Sequence, residues 1–176
     1  MKVLIIKLSS LGDVVHTLPA VAALRRGLSK RHGGVRIDWL VEEAASGILK
    51  GNPLIDNVIV VKRGWLNNLK ANLEVSRRLK NESYDMAIDF QGLFKSAVWV
   101  YMSGAKRKIG FSNARELSGV FLNEKVPPYD PDRHAVDRYL DLARYAGGGD
   151  YPLREDDKSL GDAAGEAGVL PVHLVD

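Results

Sequence analysis

The sequence predicts an α/β protein built on a doubly wound parallel sheet. Short runs of aliphatic and β-branched residues alternate with longer stretches whose apolar residues recur at helical spacing. Glycine and proline fall at several of the joints between them, and the repeated β-α-β order is that of a sheet with helices on its faces.

Val3 to Leu8 is a continuous apolar run, the pattern of a strand covered on both faces. From Gly12 to Arg31 the residues Val14, Val15, Leu18, Val21, Ala22, Leu24 and Leu28 fall on a helical face. Pro19 lies inside this stretch and predicts a kink or a helix in two pieces. Gly33-Gly34 ends it. Val35 to Val41 reads as a second strand, and Glu42 to Leu49 as a short helix stopped by Gly51-Asn52-Pro53. Val58 to Val61 is a third strand, followed by an amphipathic helix from about Leu66 to Leu79, whose polar face carries Lys70, Arg77, Arg78 and Lys80. Tyr84 to Phe90 is a fourth strand, Leu93 to Met102 a helix, Lys108 to Phe111 a fifth strand and Arg133 to Tyr145 a helix. After Gly147-Gly148-Gly149 the composition turns acidic and rich in glycine and alanine. The expected organisation is a domain over 1–150 and a linker over 151–176.

Composition narrows the function classes. At 176 residues the chain is long enough to bury a core, and 45% hydrophobic with 27% charged residues is ordinary for a globular protein. There is no cysteine, which excludes disulfides, cysteine-ligated zinc and a cysteine nucleophile. A net charge of +3 is too small to mark a nucleic-acid binder. No apolar run approaches the ~20 residues of a membrane span, and the first residues lack the cleavage site of a signal peptide. A cytoplasmic protein is expected.

In such a sheet ligands bind beyond the carboxyl ends of the strands, so the loops there are the candidates. Strand one is followed by Ser9-Ser10-Leu11-Gly12-Asp13. Gly12 would let the backbone turn tightly or approach a ligand closely. Ser9, Ser10 or Asp13 could cap the helix, and Asp13 could instead act chemically; the residues alone leave both open. The loop is neither of the two usual nucleotide-binding glycine fingerprints. Glu42 and Glu43 after strand two suit a first helical turn. Lys62, Arg63 and Trp65 follow strand three, and Asp89, Gln91, Gly92 and Lys95 follow strand four. Lys95 stands in a first helical turn, where the helix dipole disfavours a cation, which hints at a ligand contact. Arg115 comes later, and His134 and Arg138 lie one turn apart on a helix. Placed around one cleft, Lys62, Arg63, Lys95, Arg115 and Arg138 suit an anionic ligand. Asp130-Pro131-Asp132 has no third ligand nearby, and His16, His32, His134 and His173 lack metal-ligand spacing, so no metal is expected.

The segment Lys7-Leu8-Ser9-Ser10-Leu11-Gly12-Asp13-Val14-Val15-His16-Thr17-Leu18-Pro19-Ala20 closely resembles the opening of the bacterial lipopolysaccharide heptosyltransferases of type I, glycosyltransferase family 9. Asp38 to Glu43, Asp89 to Ala97, Ala114-Arg115-Glu116 and His134 to Arg138 resemble that family in order and approximate spacing, so the likeness covers about residues 1–146. It implies a Rossmann-like domain forming the N-terminal half of a GT-B glycosyltransferase. The implied reaction is inverting transfer of L-glycero-D-manno-heptose from ADP-heptose to Kdo2-lipid A in lipopolysaccharide biosynthesis. It makes Asp13 the general base. It also gives Ser9, Ser10, Gly12, Lys62, Arg63, Lys95, Arg115, His134 and Arg138 the role of binding the anionic acceptor. No cofactor is implied. ADP-heptose would be held mainly by a C-terminal donor-binding domain that is absent here, so the chain reads as a fragment, inactive alone. The lipid acceptor implies peripheral association with the cytoplasmic surface of the inner membrane, and no nucleic-acid partner. Two rivals are a standalone anion-binding or signalling module and a nicotinamide dehydrogenase. Lys62-Arg63 after strand three speaks against a phosphoacceptor domain, and the missing glycine fingerprint against the dehydrogenase.

Overall fold

A computed structural model describes residues 1–64, 68–113, 118–127, 130 and 132–147. The elements are β1 (Lys2–Ile6), α1 (Leu11–His32), β2 (Arg36–Glu42), α2 (Glu43–Ser46), β3 (Asn57–Val61), α3 (Leu69–Glu82), β4 (Met86–Asp89), α4 (Phe94–Met102), β5 (Arg107–Phe111), β6 (Glu124–Val126) and α5 (Ala135–Tyr145). All six strands are parallel, in the order β3-β2-β1-β4-β5-β6. The chain therefore winds outward from β1 to β3, returns to the other side of β1, and winds outward again. The reversal between β1 and β4 opens a crevice beyond their carboxyl ends. Ile6 stands level with Leu40 of β2 and Asp89 of β4, so the loops after all three strands leave from one edge.

Alternation along the buried strands divides the core into two layers. Val3 and Ile5 pack with Val14, Val21, Leu24 and Leu28 of α1 and Tyr139, Leu142 and Ala143 of α5. Leu4 and Ile6 point the other way, onto Leu79 of α3 and Trp99 and Val100 of α4. Gly110 of β5 is needed for this packing, since a Cβ there would lie 2.8 Å from Leu122 Cδ1.

The structure departs from the sequence reading at several places. α1 runs as one helix through Pro19, not in two pieces, because Val14, Ala20, Val21, Leu24 and Leu28 are packed on both sides of the proline. Gly33 ends it in the left-handed conformation expected there. Glu42 belongs to β2 rather than to a helix: its N–H reaches Leu8 O at 3.0 Å and prolongs the pairing with the chain leaving β1. The expected helix to Leu49 is a single turn, α2, followed by a 3-10 turn over Gly47–Leu49. α3 extends to Glu82, and α5 begins at Ala135 with His134 as its cap. β6 and the 3-10 turn at Ser118–Phe121 were not expected. The proposed linker over 151–176, with Trp65, Arg115 and Pro131, lies outside the described residues.

Candidate functional site

At the crevice, the loops after β1 and β4 are fastened to each other. Gln91 Oε1 accepts hydrogen bonds from two successive backbone N–H groups, Leu8 at 3.1 Å and Ser9 at 3.2 Å. The loop carrying Gln91 is itself shaped by Asp89. One oxygen of that carboxylate accepts from the N–H groups of Gln91 (2.9 Å) and Gly92 (3.0 Å), and the other accepts from Ser96 Oγ at 3.0 Å. Gly92 has φ 68°, so here a glycine makes the turn. Asp89 is 2% exposed, and burial pushes its carboxyl up to about 6 against the pull of those hydrogen bonds and of Lys7.

Lys7 is the second buried charge. It is 3% exposed, and its Nζ donates to Phe90 O at 3.2 Å and to the Tyr139 hydroxyl at 2.8 Å, lying 4.9 Å from the centre of the Tyr139 ring. Burial depresses its ammonium, and Asp13 and Asp89 act in the opposite sense. Asp13 Oδ2 is 3.6 Å from Lys7 Nζ.

Asp13 occupies the first turn of α1, with Ser10 as the N-cap. Ser10 N–H donates to Asp13 Oδ2 at 3.2 Å, so the capping function foreseen for this loop is present. The side chain is nevertheless 38% exposed. Ser10 Oγ, Ser10 N–H and Lys7 all meet Oδ2, so the contacts of the carboxylate concentrate on one oxygen. Gly12 is already helical, and a Cβ there would meet nothing within 4 Å. The tight turn expected of it is not made, and what it leaves beside Asp13 is open surface.

The other sequence candidates divide by position. Ser9 Oγ accepts from Lys95 Nζ at 3.3 Å, and the same Nζ donates to Glu42 Oε1 at 2.9 Å. This ion pair accounts for a lysine in the first turn of α4. His134 caps α5, its Nδ1 accepting from Val136 N–H at 3.3 Å, and its ring stands 5.3 Å from that of His16 on α1. Arg138 is half-buried on α5, one residue before Tyr139, with its charge acting on Lys7. Lys62 and Arg63 leave β3, two strands from β1, roughly 10 Å away at the usual interstrand spacing. Both are exposed, and among the described residues neither joins the network around Lys7. Asp130 Oδ1 accepts from Asp132 N–H at 2.9 Å, a local turn. Among the described residues no three His, Asp or Glu side chains gather as a metal site.

Sequence reasoning assigned no role to Lys7 or Tyr139, and it read Glu42 as a first-turn carboxylate rather than as the partner of Lys95. The signal for Lys7 was present: a lysine inside an otherwise apolar run at the end of a buried strand is costly to bury without partners.

The sequence profile of glycosyltransferase family 9 (heptosyltransferase) matches residues 72–168, more than half of the chain. The chain belongs to this family. Among curated family relatives, lipopolysaccharide heptosyltransferase 1 of Pseudomonas aeruginosa is 38% identical over 171 residues, 92% of this chain and 46% of the relative. Its counterpart in Salmonella typhimurium is 36% identical over 170 residues, 91% of this chain and 52% of the relative. The chain thus spans about half the length of the curated relatives it matches. Escherichia coli heptosyltransferase WaaC, solved with ADP-2-deoxy-2-fluoro heptose, superposes with a TM-score of 0.72 at 34% identity, over 92% of this chain and 53% of that one. The architecture is accordingly that of one half of a GT-B heptosyltransferase. In this family-9 domain the crevice brings together a half-exposed carboxylate, a buried ammonium that contacts it and a hydroxyl-bearing loop. Such a set can take a proton from a bound hydroxyl group.

Proposed function

We propose that this domain forms the acceptor side of an inverting transfer of L-glycero-D-manno-heptose from ADP-heptose to Kdo2-lipid A, with Asp13 as general base. The observation that carries the reading is the disposition of Asp13. Its carboxylate stands half-exposed at the switch-point crevice with Oδ2 engaged by the protein, which leaves Oδ1 for the acceptor hydroxyl. Oδ1 takes the hydroxyl proton as the acceptor oxygen bonds to the anomeric carbon. The bond from that carbon to the β-phosphate oxygen breaks, and its electron pair leaves on ADP. Attack from the face opposite the leaving group inverts the centre.

The acceptor carries phosphates and carboxylates. Ser9, Ser10 and Gly12 form the floor beside the base, Lys95, Arg115, His134 and Arg138 supply donors and positive charge, and Lys62 and Arg63, two strands from β1, would meet a more distant part of the same large acceptor. The ADP end of the donor belongs mainly to a second domain, where leaving-group charge is stabilised. The setting is the cytoplasmic surface of the inner membrane, reached peripherally through cationic residues, each contributing about 1 kcal/mol at an anionic surface. No helix among the described residues is long and apolar enough to cross a membrane.

The test uses an active protein that contains this chain. Asp13→Asn keeps the shape of the side chain but cannot take the proton, so kcat is expected to fall about 10²–10⁴-fold with acceptor binding retained. Near-normal turnover would reduce Asp13 to a helix cap.

A further inference from the structure

We infer that Lys7 is the positioning residue of the base: its buried ammonium, held by Tyr139 and Phe90, pins Asp13 Oδ2 so that Oδ1 is the oxygen presented to the acceptor. This rests on the assignment of Asp13 as base. A carboxylate in a first helical turn can rotate about its terminal torsion at little cost, and a base whose two oxygens exchange places holds the acceptor hydroxyl poorly. Ser10 restrains Oδ2 from the capping side through its N–H and its Oγ, both on the exposed face of the loop. Lys7 adds a restraint from the interior, 3.6 Å from the same oxygen.

Lys7 is well placed for this because its Nζ is itself located by three elements. It leaves the end of β1, donates to Phe90 O beyond β4 at 3.2 Å, and donates to Tyr139 of α5 at 2.8 Å. The Tyr139 ring, beneath the ammonium at 4.9 Å, packs edge-on against Phe90, with ring centroids 5.7 Å apart. The ammonium cannot follow the carboxylate if the carboxylate swings away. The charged and titratable groups that face Lys7 are Asp13 from α1, Asp89 from the end of β4, and Arg138 and Tyr139 from α5. Asp13 has Lys7 at ion-pair distance and, one turn further along α1, His16, which is paired with His134.

The experiment compares Lys7→Met, Tyr139→Phe and Asp13→Asn in an active protein that contains this chain, reading kcat, acceptor KM and the pH–rate profile. Lys7→Met fills the same volume without the charge. Its kcat is expected to fall about 10- to 100-fold through misplacement of the base, with acceptor KM little changed. The pH–rate profile should change along with kcat. Tyr139→Phe removes only the hydroxyl that locates Nζ, and should give a smaller change in the same direction. A folded Lys7→Met protein with the wild-type kcat and profile overturns the inference. If Lys7→Met does not fold, Tyr139→Phe decides, and an unmoved kcat and profile overturn it equally. If Asp13→Asn keeps wild-type kcat, the base assignment falls and this inference with it. If Asp13→Asn loses turnover and a folded Lys7→Met does not, only the role of Lys7 fails.

Discussion

The two ends of the sheet both carry clusters of charge, and they treat it in opposite ways. At the amino ends of the strands, Arg36 forks onto Asp38 at 3.1 and 2.8 Å, and Asp38 also accepts from Asn57 and from the Tyr84 hydroxyl. Glu82 receives Lys2 and Arg36, Asp85 receives Lys106 and the Lys2 N–H, and Arg107 forks onto Glu124 at 2.7 Å. The charged forms of the carboxylates are favoured there. Burial pushes Asp38 upward, but its hydrogen bonds with Arg36, Asn57 and Tyr84 hold it below the usual carboxylate range. Arg36 lowers Glu82, and the Lys2 N–H lowers Asp85. At the carboxyl ends the neutral forms gain, with Lys7 driven down and Asp89 driven up, each chiefly by burial. One end spends its charges on one another. The other holds buried charges that are incompletely compensated beside an exposed carboxylate, as sites that handle protons do.

If the amino-end network serves the fold alone, breaking it should cost stability and spare turnover. Asp38→Ala strips the acceptor from Arg36, Asn57 and Tyr84 together. A fully buried pair broken in this way loses about 3–5 kcal/mol. Arg36 retains access to water, so about 2–3 kcal/mol is expected, read by urea unfolding. Unchanged stability, or a kcat that falls in the folded variant, would erase the contrast between the two ends.

Asp89 sharpens the contrast through pH. Its folded carboxyl lies at about 6, above its ordinary value, so between those two values the folded chain binds protons that the unfolded chain has released. The stabilising contribution is therefore complete in acid and declines as pH rises through about 6. Melting temperatures of wild type and Asp89→Asn, measured from pH 4 to 8, should show wild type losing ground to the variant over that interval and no further change above it. A difference independent of pH would remove Asp89 from the group of strained charges. The smallest effect belongs to Lys106→Ala. The Lys106–Asp85 pair is largely exposed, so the change should stay within about 0.5 kcal/mol and fade in high salt.

The central strands were legible because a strand buried on both faces reads as an unbroken apolar run, and α1 because its apolar face repeats over many turns. β6 was not, since Glu124–Val126 offers only three residues and one of them buried. In the site, the loop of Asp13 and the loop of Asp89 to Lys95 were legible from the rule that ligands sit beyond strand ends. Their connections were not. Tyr139 is 132 residues from Lys7, and Glu42 is 53 from Lys95, separations that no local pattern encodes. Grouping Lys62 and Arg63 with Lys95 assumed that every strand-end loop borders one crevice, whereas the strand order sets β3 at the far edge.

The double acceptance by Gln91 bears on how the domain comes to be made. Its bonds to Leu8 and Ser9 close loops of 83 and 82 residues, and Lys7 reaches Phe90 across 83. The cap between Ser10 and Asp13 spans three residues and can form as soon as α1 does. During synthesis the aspartate can therefore occupy its helix turn long before the crevice exists. The crevice itself waits for β4 to pair with β1, and the hold of Lys7 on Tyr139 waits for α5. Closing such distant contacts is the slow part of folding, and the arrangement proposed for the base is complete only when β4 has joined the sheet and α5 has docked.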